Sequence, residues 1–105
     1  MQIRISGRHF ELTQALKEHI SKRVERFKKY LDNIIDVHAI LGVEKYRQYV
    51  EISVFGKRLK ITEKSVETDM YAAIDKVCLR IEQTLRRYKD KVKTYRKKDV
   101  KKVLS

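Results

Sequence analysis

The chain has 105 residues and is 42% hydrophobic, which suits one domain with a modest core. Its 26 Lys and Arg outnumber 14 Asp and Glu, and the formal net charge of +12 indicates an anionic partner such as nucleic acid or an acidic membrane surface. With one cysteine, no signal-peptide core and no apolar run near the roughly 20 residues of a membrane span, we expect a cytoplasmic protein without disulfides or membrane attachment.

The first elements in chain order are a strand and a helix. Ile3 and Ile5 alternate with polar residues over positions 2–6, which predicts a half-buried strand. Thr13 suits the N-cap of the helix that follows, and Asp32 begins the polar residues that end it. The apolar residues of this helix recur every three or four positions, as expected for one buried face. They are Leu16, Ile20, Val24, Phe27 and Leu31.

The hydrophobic period then changes to two and predicts three further strands. A polar loop at positions 44–48 separates the first two of these strands, and Gly56-Lys57 predicts a tight hairpin turn before the last one. The residues predicted to face the core are Ile35, Val37, Ala39, Leu41 and Val43, then Val50, Ile52 and Val54, then Leu59 and Ile61.

A long amphipathic helix is predicted from about residue 69 to the mid-90s. Thr68 suits its N-cap, and the carboxylate of Asp69 suits the positive end of the helix dipole. We therefore predict one domain at residues 1–95 and a short basic C-terminal tail at residues 96–105. The apolar stripe of the helix again has helical spacing and comprises Met70, Ile74, Val77, Ile81, Leu85, Tyr88 and Val92.

The order of elements, β-α-β-β-β-α, predicts the α+β class. One face of the sheet and one stripe of each helix are apolar, so the economical packing is a two-layer sandwich with both helices on one face of a four-stranded sheet. We expect the last three strands to form an antiparallel meander. The first strand should add at one edge after the helical crossover.

Basic residues are concentrated late in the chain and along one flank of each helix. Residues 84–105 hold 10 basic and 2 acidic side chains. Rows of Lys and Arg bind phosphate and release counterions from a nucleic-acid backbone. At about 100° per residue the members of a row share one flank of their helix. Because both helices should lie side by side on the sheet, the two rows could form one basic surface or line a groove. The rows are Lys22, Arg23, Arg26 and Lys29 on the first helix, and Lys76, Arg80, Arg87 and Lys91 on the second.

The same charges also suit a solvated helix surface that needs no partner. Glu18 and Lys22, like Glu82 and Arg86, are spaced i,i+4 and can pair along one helix. The late excess of positive charge still favours nucleic-acid binding.

Three aromatic residues should lie away from the core. Tyr46 and Tyr49 stand at the hairpin between the second and third strands, and Phe55 should point off the core face. Aromatic side chains on an exposed sheet can stack on unpaired bases. Cross-strand packing that protects the sheet is the commoner role, and we favour it here.

No group of residues supports an enzyme. Cys78 lies beside the apolar stripe of the second helix and is interpreted as a small buried residue. His9, His19 and His38 lie on separate elements without metal-ligand spacing. The sequence also lacks a glycine-rich phosphate loop and a Gly-flanked serine. We expect no catalysis, no metal or other cofactor and no small-molecule substrate.

The second helix opens with Asp69-Met70-Tyr71-Ala72-Ala73-Ile74-Asp75 and continues through Leu85-Arg86-Arg87-Tyr88-Lys89. With Ser6-Gly7-Arg8 after the first strand, these segments resemble the bacterial ribosome-hibernation promoting factors, once described as sigma-54 modulation proteins. The resemblance covers about residues 1–95. It implies a fold like the double-stranded-RNA-binding domain and binding to the small ribosomal subunit in the channel for messenger and transfer RNA. A protein in that channel blocks translation and protects idle ribosomes under stress.

The resemblance further implies that basic positions on both helices contact ribosomal RNA. The matching positions are Arg23, Arg26, Arg80, Arg87 and Lys91, followed in rank by Lys22, Lys29, Arg86 and Lys89. The chain departs from the family pattern at Leu79, Gln83 and Thr84, where an acidic residue, a basic residue and a glutamine are usual. The chain resembles the short members of the family, and we expect a monomer when it is free of the ribosome.

Two other functions remain open from the sequence. The alternatives to a ribosome-binding factor are a generic basic RNA-binding module of the same fold and a protein-interaction module for an acidic partner. Asp69 and Asp75 stand at the start of the last helix, where duplex-RNA modules usually carry basic residues. This feature favours a ribosome-binding factor over a duplex-RNA-binding module. Binding that survives nuclease digestion would favour the protein-interaction module.

Overall fold

The computed structural model describes the backbone of residues 1–104 and the side chains of residues 1–89. The βαβββα order and the α+β class predicted from the sequence are confirmed. The elements are β1 (Gln2–Arg8), α1 (Gln14–Glu25) followed by a 3₁₀ turn (Arg26–Lys29), β2 (Ile34–Glu44), β3 (Arg47–Gly56), β4 (Leu59–Glu67) and α2 (Met70–Leu104).

The strands form one mixed sheet of four strands in the order β1-β2-β3-β4. The strands β2, β3 and β4 are antiparallel neighbours, whereas β1 pairs in parallel with β2 at the edge of the sheet. A parallel pair requires a crossover connection, and α1 supplies it. The predicted meander and the edge position of the first strand are therefore confirmed.

Both helices bury apolar side chains in a single core against one face of the sheet, and the buried stripe of α2 runs from Met70 to Leu85. Tyr88 is half-buried, and Val92 lies outside the residues whose side chains are described. Apolar burial of this kind contributes about 25 cal/mol per Å² and is the main stabilising term of the fold. Because the core occupies one face of the sheet, the outer flanks of the helices and the opposite face of the sheet are available for other contacts. Within the described residues, no helix is both long and apolar enough to cross a membrane. Fully buried side chains include Ile20, Val24, Phe27, Val37, Leu41, Ile52, Ile74, Val77, Ile81 and Leu85.

Side-chain caps begin both helices. The hydroxyl of Thr13 accepts a hydrogen bond of 3.2 Å from the amide of Leu16, as its position predicted. The cap of α2 is Asp69 and not Thr68, because the Asp69 carboxylate accepts a bond of 3.0 Å from the amide of Ala72. A carboxylate at this position also stabilises the positive end of the helix dipole.

The two helices end differently from the prediction. The helix α1 ends at Glu25, and the 3₁₀ turn after it still buries Phe27, so Leu31 packs against the core from outside the helix. The helix α2 continues to Leu104, because no glycine or proline follows Gly56 in the sequence. The division between a domain and a basic tail at residue 95 stays a prediction.

A bulge at the start of β2 changes which isoleucine faces the core. Ile34 pairs with Gly56 while Asp36 pairs with Phe55, so Ile35 is the extra residue on its strand. Ile34 is 6% exposed and Ile35 is 62% exposed. The prediction that Ile35 lies inside is therefore wrong, since the extra residue shifts the alternation by one position.

Both hairpins turn through two residues. The predicted loop at 44–48 is the turn Lys45-Tyr46, and the next turn is Lys57-Arg58, one residue later than predicted. Lys45 and Arg58 have φ values of 58° and 61°, in the left-handed region that favours glycine. Each hairpin therefore keeps a basic side chain at a strained backbone position.

Candidate nucleic-acid interface

The facing flanks of α1 and α2 carry opposite charges and meet in a groove. The Oδ1 atom of Asp75 lies 2.7 Å from Nε2 of His19 and 3.6 Å from Nε of Arg23. Arg23 also donates a hydrogen bond of 3.2 Å to the backbone carbonyl of Asp75. The rings of His19 and Tyr71 meet edge to face, with centroids 5.1 Å apart. These contacts hold the first turns of α2 against the middle of α1.

A second ion pair crosses the same groove from the first residue of the 3₁₀ turn. The Nε atom of Arg26 lies 3.2 Å from Oε1 of Glu82. Glu82 is only 4% exposed, and a buried carboxylate requires an opposite charge nearby. The i,i+4 pair predicted between Glu82 and Arg86 is replaced by this contact between helices. We call His19, Arg23, Arg26, Asp75 and Glu82 the helix groove.

Cys78 lies beneath the helix groove and is fully buried. Burial is the largest influence on its thiol and raises the pKa from 9.0 to about 12, against the opposing effect of the nearby Arg23 guanidinium. The thiol is therefore protonated at neutral pH and has no nucleophilic character. Within residues 1–89, no three His, Cys, Asp or Glu side chains are grouped as metal ligands.

The opposite flank of α2 follows the edge strand β4. The ammonium of Lys76 lies 2.8 Å from a carboxylate oxygen of Glu67. One turn later, Arg80 donates a hydrogen bond of 2.7 Å to the backbone carbonyl of Lys64. Arg87 is exposed and follows Arg80 by seven residues, so both lie on the same flank. We call Lys76, Arg80 and Arg87 the β4 flank.

The charge on the β4 flank is only partly compensated. Glu67 neutralises Lys76, but the hydrogen bond from Arg80 goes to a neutral carbonyl and leaves its positive charge available. Lys91 would extend this row, but it lies outside the residues whose side chains are described. The flank therefore offers guanidinium groups, which bind phosphate through paired N–H donors.

The remaining predicted residues are divided between the rim of the helix groove and the end of α2. Lys22 and Lys29 are exposed on the α1 side and form no ion pair with the side chains described for residues 1–89. The guanidinium of Arg86 lies 5.8 Å from the ring centroid of Tyr30, a cation–π contact between α2 and the residue that follows the 3₁₀ turn. Lys89 is half-buried.

The two predicted basic rows do not merge into one surface. Arg23 and Arg26 face the acidic flank of α2, whereas Arg80 faces the edge of the sheet. The structure therefore brings together Arg23, Arg26 and Arg86 along the helix groove, and Lys76 with Arg80 along β4. Exposed Leu79 lies on α2 between the two groups.

Sequence reasoning missed the roles of Asp75 and Glu82. Their partners, Arg23 in α1 and Arg26 in the 3₁₀ turn, are more than 50 positions away in the chain, so local spacing gives no sign of them. A signal was present for Glu82, which follows Ile81 directly beside the apolar stripe. A carboxylate at such a position must find a positive charge when the stripe is buried.

The fold and these contacts define a two-layer α+β protein with a cationic flank on its long helix. Residues 3–93 match the family described as sigma 54 modulation protein / S30EA ribosomal protein, and the chain belongs to this family.

Similar proteins agree with this assignment. The chain is 34% identical over 91 residues to a ribosome hibernation promoting factor of Pseudomonas putida, covering 87% of this chain and 89% of that one. It is 32% identical over 95 residues to a protein of the same name from Escherichia coli K12, and the match covers 90% of this chain and 100% of the relative.

Two solved structures share the fold. A ribosomal subunit interface protein from Coxiella burnetii superposes with a TM-score of 0.81 and 27% identity, covering 86% of this chain and 99% of that one. The N-terminal domain of Protein Y from Thermus thermophilus gives a TM-score of 0.79 with 27% identity, covering 84% and 99% of the two chains. The likeness extends over nearly the whole of both neighbours.

Proposed function

We propose that the chain is a ribosome-associated hibernation factor that binds the small ribosomal subunit and inhibits translation. The observation that carries this proposal is its match to family members over most of their length. Relatives named ribosome hibernation promoting factors align over 89% and 100% of their own chains, so the comparison concerns whole proteins. One structural neighbour is a ribosomal subunit interface protein.

The β4 flank is the proposed primary contact with ribosomal RNA. Arg80 and Arg87 are exposed on one side of α2, and Lys91 follows at the same helical spacing. Each guanidinium can grip one phosphate bidentately, and the row runs along a rigid helix, so the spacing of the contacts is fixed. Such contacts supply affinity without reading base sequence.

The rim of the helix groove is the proposed secondary contact. A guanidinium has five N–H donors, so the ion pairs of Arg23 and Arg26 leave other N–H groups for phosphate. Exposed Lys22 and Lys29 would add point charges on the α1 side, and Arg86 would add one across the groove. Lys89 belongs to the same group, although it is half-buried.

The proposed mechanism is competition for space and charge. A domain held by phosphate contacts in the channel of messenger and transfer RNA excludes both ligands, so translation stops without any chemical reaction. The protein is accordingly proposed to act without catalysis, in the bacterial cytoplasm, as a monomer that carries no cofactor. Because counterion release drives binding, its affinity should fall as salt rises.

Co-sedimentation with purified bacterial ribosomal subunits over a salt series tests this proposal. We expect stoichiometric pelleting with the small subunit, a decline as salt rises, and competition by messenger RNA together with transfer RNA. Equal weak binding to both subunits and to any RNA would replace the proposal with a generic RNA-binding module. Binding that persists after complete nuclease digestion would replace it with a protein-interaction module.

A further inference from the structure

A pocket lies at the hairpin between β2 and β3, on the face of the sheet opposite the helices. Its volume is about 420 Å³, within the range of about 300–1,000 Å³ that is typical of small-ligand sites. None of its lining residues belongs to the helix groove or the β4 flank, and the one link within residues 1–89 is the backbone carbonyl of Lys64, which accepts the hydrogen bond from Arg80. The pocket is lined chiefly by Glu44, Lys45, Tyr46, Arg47, Tyr49 and Lys64.

Tyr49 forms a fixed aromatic floor for this pocket. It pairs across the strands with Gly42, and its ring lies so close that a Cβ atom on Gly42 would come within 2.3 Å of it. The ammonium of Lys64 lies 4.8 Å from the centroid of the same ring. Lys64 stands opposite Glu51 in the strand register, yet its charge is held over the tyrosine. Tyr49 therefore has the role that the sequence analysis favoured for the exposed aromatic residues, which is packing across neighbouring strands of the sheet.

Tyr46 has no comparable role in the fold. Its side chain is 94% exposed at the tip of the hairpin and is absent from the hydrophobic core. Its neighbour Lys45 has a φ of 58°, a position where glycine or asparagine would cost less. A basic and an aromatic side chain thus stand side by side at the tip of the hairpin, where Tyr46 makes no contact with the hydrophobic core.

The charge of the pocket suits an anionic ligand. Lys45, Arg47 and Lys64 line it, against the single carboxylate of Glu44, which stands opposite Arg47 in the strand register. Three cations around an exposed aromatic ring match a nucleotide, which has a flat base and a negatively charged phosphate. Base stacking on tyrosine combined with basic phosphate contacts is the usual chemistry of single-strand binding.

We propose that this pocket binds one unpaired nucleotide of single-stranded RNA, with its base stacked on Tyr46 and its phosphate held by Lys45, Arg47 and Lys64. An acidic peptide would satisfy the cations but would leave the exposed ring unused, so RNA is the better match. The pocket lies on the other layer of the domain from both helix contacts. A strand bound there would add to the proposed helix contact and would not depend on it.

Titration of the free protein with the oligonucleotide hexauridine, followed by amide chemical shifts in NMR, tests this inference. We expect shifts at the amides of residues 45–49 and 64–66. The Tyr46→Ala variant should bind at this face about tenfold more weakly, because stacking on one aromatic ring is lost. Tyr46→Phe, which keeps the ring, should bind as the unaltered chain does.

Arg58→Gly is the matched control. It removes one basic residue from a left-handed position in the other hairpin, and it should leave the hexauridine shifts at residues 45–49 unchanged. Shifts confined to the helices would overturn the inference, and so would hexaglutamate binding at the hairpin as tightly as hexauridine. Failure of subunit sedimentation with the hairpin shifts intact would overturn only the proposed ribosome function.

Discussion

The two flanks of α2 carry similar basic residues but use them differently. In the helix groove, Arg23 and Arg26 are committed to the carboxylates of Asp75 and Glu82. On the β4 flank, the partner of Arg80 among the side chains and backbone groups of residues 1–89 is a neutral backbone carbonyl. A positive charge beside a carboxylate, such as half-exposed Asp75 or buried Glu82, is already compensated within the fold. A positive charge beside a neutral group remains able to attract an anion.

This difference shows that the number of basic residues on a helix does not determine how strongly the helix can bind an anion. A row of arginines in the sequence gives the number of positive charges but not how many the fold has already neutralised. The extent of this neutralisation differs between the two sides of α2. We therefore expect substitutions on the β4 flank to affect ribosome binding with little effect on stability, and substitutions in the helix groove to do the reverse.

The largest effect is expected from reversing the charges of Arg80 and Arg87 on the β4 flank together with Lys91, which follows them in the sequence at the same helical spacing. The triple variant Arg80→Glu, Arg87→Glu and Lys91→Glu should weaken small-subunit binding by about a hundredfold or more, because three phosphate contacts become repulsive. Its circular dichroism and thermal unfolding should stay close to those of the unaltered chain.

A charge-matched control lies at the hairpin between β3 and β4. Lys57→Glu, Arg58→Glu and Lys60→Glu change the net charge by the same amount on a surface away from the helices. This control should retain most of the binding in the same sedimentation assay. A folded β4-flank variant that binds as well as this control would contradict the site assignment.

The second largest effect concerns stability. Arg26→Ala should lower the free energy of unfolding by about 2 kcal/mol, because it leaves the buried carboxylate of Glu82 without a partner. Glu82→Gln in the same chain should recover part of this loss, because the remaining amide is neutral. Urea unfolding of the two single variants and the double variant measures the coupling. Additive losses would show that the two side chains stabilise the fold independently.

The sequence predicted the elements of this fold well because they depend on local patterns. The periods of 3.6 and 2 located both helices and all the strands, and Thr13 was correctly identified as a cap. The bulge at Ile35 was not predicted, because it depends on how β2 pairs with β3. Nor was the pairing of Arg26 with Glu82, since the i,i+4 partner Arg86 is equally acceptable on an isolated helix.

The candidate site was predicted only as a set of basic positions. Helical spacing places Arg80 and Arg87 on one flank of α2, and this much follows from the sequence. Which flank faces α1 and which faces β4 depends on the packing of the helix on the sheet. That packing decides that Arg23 is paired and that Arg80 is not neutralised.

A smaller effect is expected from Cys78 beneath the helix groove. Burial raises the pKa of its thiol to about 12, while the unfolded chain keeps a value near 9.0. Above pH 9 the unfolded chain loses this proton and the folded chain keeps it, so stability is present below pH 9 and is lost as pH rises toward 12. The loss at pH 10 should be about 1 kcal/mol.

Urea unfolding at pH 8 and pH 10 measures this loss. Cys78→Ala should reduce the difference between the two pH values, even though the smaller side chain lowers stability at both. Tyrosines and lysines also titrate in this range, and the comparison between the variant and the unaltered chain removes their contribution. An identical pH difference in both proteins would show that the thiol is more accessible than its burial indicates.

The smallest effect is expected at Lys76, the member of the β4 flank that has an acidic partner. Its pair with Glu67 is partly exposed, so Lys76→Ala should change the free energy of unfolding by about 0.5 kcal/mol or less. It should also change small-subunit binding far less than Arg80→Ala, because Glu67 already neutralises its charge. Sedimentation of the two alanine variants at one salt concentration makes the comparison. Equal losses of binding would mean that Glu67 releases Lys76 when the protein meets RNA, so that compensation within the free protein does not determine which residues bind.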